Sequence, residues 1–159
     1  MSIYPIFHSK EMRQFSRVRS VQDKGQSLFL IYSSRLAEFR EVYETTQDIL
    51  AQEQIWPDQC DYIIGILEPI QKTAGNLAES FSSKNQRAKS AGRNRYSILT
   101  NAYHFYDRID KTMLFIREFR ATNQQWSSKK TKLKEIQNSL RQLDSSFNEL
   151  MKGLDSIKE

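Results

Sequence analysis

The chain is 159 residues long, enough for one helical domain, or two small helical modules, with a buried core. Five glycines and three prolines are too few to punctuate a β-rich fold, and a single cysteine, Cys60, excludes both an intramolecular disulfide and a cysteine-based metal site within one chain. The net charge of +5 favours acidic partners, although acids and bases alternate along most of the sequence.

The opening residues include Ile3, Tyr4, Ile6 and Phe7 but are interrupted by Pro5, and they lack the basic start and apolar run of a secretory signal. The longest apolar stretch, 28–32, falls far short of the roughly 20 residues that span a bilayer. Together with the lone cysteine, this predicts a cytoplasmic protein. Met12, Phe15, Val18 and Val21, at three-residue steps, predict a first helix over 7–21 with a glycine stop at Gly25.

A second helix is predicted over 26–54. There Leu28, Ile31, Tyr32, Leu36, Phe39, Val42, Tyr43, Ile49 and Leu50 form one broad apolar face that must pack on partners. Trp56-Pro57-Asp58 breaks the chain, because proline disfavours helical geometry in the residue before it. Asp58 is the expected cap of a third helix, striped by Ile63, Ile66, Leu67, Ile70, Leu77 and Phe81 and bent at Pro69. Between Ser82 and Arg95 lie Lys84, Arg87, Lys89, Arg93 and Arg95 without an acid, a local basic patch.

The fourth helix, over 95–122, carries Ile98, Ala102, Phe105, Ile109, Met113 and Ile116, flanked by Leu99, Tyr103, Tyr106 and Phe119; core packing is the expected role of this broad aromatic face. The last helix shows the strictest pattern. Leu133, Ile136, Leu140, Leu143, Phe147, Leu150, Leu154 and Ile157 alternate steps of three and four, a heptad seam that requires a partner helix along its length.

Catalytic chemistry finds few candidates. The histidines are His8 and His104, and His104 with Asp107 one turn on is only one pair, short of a metal site. No zinc-protease, nucleophile-elbow, phosphate-loop or dinucleotide pattern occurs, nor the Glu-x-x-His of di-iron bundles. Asp58 and Asp61 beside Cys60 oppose a reactive thiolate. The expectation is a protein with no catalytic, cofactor or metal residues.

Phe105-Tyr106-Asp107-Arg108-Ile109-Asp110, followed by Phe115-Ile116-Arg117-Glu118, resembles the first helix of a spectrin repeat, with Phe115 where tryptophan is usual. Residues 133–158 resemble the second helix of such a repeat, and 39–50, Trp56-Pro57 and 60–81 resemble the second and third helices of a preceding one. The closest likeness is to the divergent repeats of Trio, kalirin and Dbl-type exchange factors. The sequence departs from the pattern at Phe115, at Pro69 and in the missing third helix of the second repeat. The resemblance implies that a third helix runs unbroken into the next repeat, so that 82–95 would be a helical linker.

These readings predict an all-α fold, a long-helix bundle with coiled-coil-like packing, arranged as two spectrin-like modules sharing a continuous helix. The modules would span 1–92 and 93–159, with a single bundle as the alternative. The expected function is a non-catalytic cytoplasmic scaffold or spacer that binds proteins through helix faces, with homo-oligomerisation open. The alternative is a binder of nucleic acid or an anionic membrane surface through Lys84, Arg87, Lys89, Arg93 and Arg95.

Overall fold

A computed structural model of the chain describes residues 24–82, 94–122 and 126–157. The described residues are helical apart from their turns and caps, in the order α1 (Lys24–Ala37), α2 (Phe39–Leu50), α3 (Pro57–Ser80), α4 (Asn94–Ala121) and α5 (Trp126–Asp155). The helix expected over 7–21 lies outside them. The one expected over 26–54 is present as α1 and α2, divided at Glu38, whose N–H reaches back three residues to the Arg35 carbonyl at 3.3 Å and tightens one turn.

α3 begins one residue earlier than expected, and Asp58 is not its cap. Trp56 is the extended residue before the helix, with φ −86° and ψ 152°, and its N–H donates to Gln59 Oε1 at 2.9 Å. Pro57 takes the first helical position, where no N–H is required, and Asp58 places its charge at the positive helix end. Pro69 sits on the solvent side of α3, and so does Gly65, the residue whose carbonyl loses its donor to the proline. Water can serve that carbonyl, so the proline falls where it costs least.

α1 with α2, α3, α4 and α5 run alternately up and down as a four-helix bundle, and cross-helix contacts set the register. Gln71 and Arg120 of α3 and α4 reach Asp110 and Asp61 at 3.2 and 3.1 Å. Arg108 donates to Gln142 at 2.6 Å, and Lys132 to Glu118 at 3.1 Å, between α4 and α5. Arg40 of α2 pairs with Asp144, bonds Asn148 and lies 4.8 Å over the Phe147 ring of α5, while the Tyr32 hydroxyl of α1 bonds Ser80 at 2.6 Å.

One apolar core runs through all five helices, from Tyr32 to Ile157. At its centre Phe39 meets Phe105 edge-on at 5.2 Å and Phe147 at 4.7 Å. The seam of α5 is buried from Ile136 to Ile157, with Leu133 packed at its margin. Its partners are α4 and the α1–α2 arm.

Residues 83–93 of the expected helical linker lie outside the described residues, but α3 and α4 do not form one unbroken helix, and the alternative, a single bundle, fits their packing. α3 stops at Ser80, Phe81 caps it with φ −103° and its side chain fully buried, and α4 returns alongside. In one unbroken helix Gln71 and Asp110, 39 residues apart, would stand about 58 Å from each other rather than at hydrogen-bond distance. The physical reason is that α3 and α4 both carry apolar stripes, and folding back buries one against the other.

Candidate functional site

Among the described residues, α4 carries four of the six exposed large hydrophobic side chains, Tyr96, Tyr103, Tyr106 and Leu114. Ile98, Ala102, Phe105, Ile109, Met113 and Ile116 point into the core, as their spacing predicts. Of the expected flank Phe119 is buried, but Tyr103 is 48 % exposed, and Tyr96 and Leu114 on the same helix are 73 % and 48 % exposed. Tyr96 and Leu114 are 18 residues apart, five full turns, and Tyr103 lies within about 20° of the same line, so the three make a stripe about 27 Å long opposite the core. Tyr106, also partly exposed, rests its ring 3.2 Å from where a Cβ on Gly75 of α3 would sit. The sequence pattern assigns Tyr103 and Tyr106 to the core because large apolar residues on two sides of a helix give its pattern no preferred direction.

His104 and Asp107 lie in a shallow depression beside this stripe, with Arg108, Asp110 and Lys111. Arg108 is taken up by Gln142, and Asp110 accepts from Gln71. Among the described residues no group of three or more histidines, cysteines or acids is placed to hold a metal. Cys60 is buried, and burial, then the neighbouring Asp61 charge, pushes its thiol above the ordinary value near 9, against the smaller pull of Arg120 and Lys129. It is therefore held in its unreactive form.

Of the basic patch, Lys84, Arg87, Lys89 and Arg93 lie outside the described residues. Arg95 is half-buried at the start of α4 and donates to the Phe81 carbonyl at 3.3 Å, which ties the C-terminal end of α3 to α4. At the opposite end of the bundle, where the α2–α3 turn meets the start of α5, a recess of about 620 Å³ is floored by Ile55, Phe119 and Leu133 and rimmed by Glu53, Lys129 and Lys130. A second recess of about 300 Å³ shares Ile55, Phe119 and Lys129 and reaches Trp56 and Cys60. No sequence signal marks these recesses, because their walls come from three separate segments.

Compared with models of known families, with curated proteins and with solved structures, the chain matches none. The geometry is therefore the ground for any functional reading. Among the described residues no helix is long and apolar enough to cross a membrane.

Proposed function

We propose that this protein is a non-catalytic helical scaffold or spacer that engages protein partners through the outer face of α4, within the cytoplasm. The observation that carries the reading is the stripe Tyr96, Tyr103 and Leu114, exposed on a helix whose opposite side is completely buried. Tyrosines of this kind offer large contact area at low entropic cost, as interface anchors do. The kinship to spectrin repeats, suggested by residues 105–118, belongs to this proposal and is not its ground. Anion binding through Lys84, Arg87, Lys89, Arg93 and Arg95 is the rival, and Arg95 already spends an N–H on Phe81.

The test is a photo-crosslinking residue at position 103, with the captured protein identified and then purified. Direct binding of that protein should be lost in Tyr103→Lys/Leu114→Lys, with circular dichroism unchanged, and should vary little with salt. Binding that survives the double substitution, or that falls steeply with salt and requires the basic patch, would overturn the reading in favour of the rival.

A further inference from the structure

The recess at the α5 end of the bundle has a chemistry that the α4 interaction face does not use. Ile55, Phe119 and Leu133 give it a carbon floor, and its volume of about 620 Å³ lies within the range of sites that enclose small molecules. Over this floor stand Lys129, half-buried, and Lys130, exposed, and neither has an ion-pair partner among the described residues. Lys132, two residues on, is by contrast held by Glu118 and Glu135.

Lys129 and Lys130 are the fourth and fifth residues of α5, close to the free N–H groups that make a helix start positive. Cations there work against the fold, so the fold does not account for them. Glu53 is the only carboxylate among the described residues lining the recess. An apolar floor beneath uncompensated positive charge is complementary to a molecule with a hydrocarbon body and an anionic head.

We propose that this recess binds one anionic amphiphile, a long-chain carboxylate or its chemical equivalent. Its chain lies over Ile55, Phe119 and Leu133, and its head sits between Lys129 and Lys130. The adjoining recess towards Trp56 and Cys60 lets a longer chain run on. The site is independent of the α4 face, so Tyr103→Lys/Leu114→Lys leaves it intact.

The experiment is calorimetric titration of the full chain with dodecanoate below its micelle-forming concentration, beside dodecyltrimethylammonium, which has the same tail with a positive head. Vesicles of phosphatidylcholine and phosphatidylserine form a third arm. Saturable 1:1 binding of dodecanoate is expected, at least about tenfold weaker in Lys129→Glu, as loss of a hydrogen bond from a charged group implies. Leu133→Trp should block the floor to a similar degree, and Glu53→Gln should tighten binding. Three results would overturn the proposal: equal affinity for the cationic amphiphile, binding untouched by Lys129→Glu, or association with phosphatidylserine vesicles alone. Lys129 lies at the surface margin, so its variant folds even if Leu133→Trp does not.

Discussion

Thr46 and Thr112 are both fully buried, yet their hydroxyls meet opposite circumstances. Thr112 Oγ1 donates to the Arg108 carbonyl at 2.8 Å, which uses its only proton, so the 2.6 Å bond to Ser139 must be donated by the serine. Thr46 Oγ1 has no hydrogen-bond partner among the described residues. The same isosteric change should therefore have opposite signs at the two sites. Thr46→Val should raise stability by about 1 kcal/mol, because a stranded hydroxyl is replaced by a methyl of the same shape. Thr112→Val should lower it by about 1–3 kcal/mol, because Ser139 is left without its acceptor. Urea unfolding of both variants checks the pair; a loss in Thr46→Val would mean that its hydroxyl is bonded after all.

At the scale of the helices, α3 holds two glycines whose surroundings differ. A Cβ on Gly65 would meet nothing within 4 Å, whereas one on Gly75 would come within 3.2 Å of the Tyr106 ring. Gly65→Ala should gain the helix-propensity difference of about 1 kcal/mol, or about 2–4 °C in melting temperature. Gly75→Ala should gain clearly less, since the tyrosine ring must move outward to admit the methyl. Equal melting temperatures in the two variants would show that the α3–α4 contact yields freely there.

The helices themselves were legible because each buries a stripe at spacings of three and four, as Leu143, Phe147 and Leu150 do in α5. The return of α4 alongside α3 was not legible. A stretch such as 82–95, polar and without proline, reads the same whether it turns or continues, and heptads specify that a partner exists without saying which helix it is. The exposure of Tyr103 on α4 escaped for a related reason, since periodicity gives no clear direction on a helix that carries large apolar residues on opposite faces. The recess at the start of α5 could not be read from sequence at all: Ile55, Phe119 and Leu133 become neighbours only when the bundle closes.

Across the whole molecule the helices are unequally engaged. α4 lies between α3 and α5 and packs extensively on both, and the α1–α2 arm completes the fourth side through shorter contacts with α3 and α5. The arm is held at discrete points: Tyr32 on Ser80, Phe39 in the aromatic cluster, and Arg40 on Asp144 and Phe147. Removing it would uncover one side of the core while leaving the α3–α4–α5 contacts in place. The bundle should therefore come apart in stages, with the arm as a separate cooperative unit of lower opening free energy. Native-state hydrogen exchange in rising denaturant should show the amides of 29–50 merging into one early class and those of α4 exchanging only with global unfolding. A single class across all helices would show instead that the arm and the other three rise and fall together.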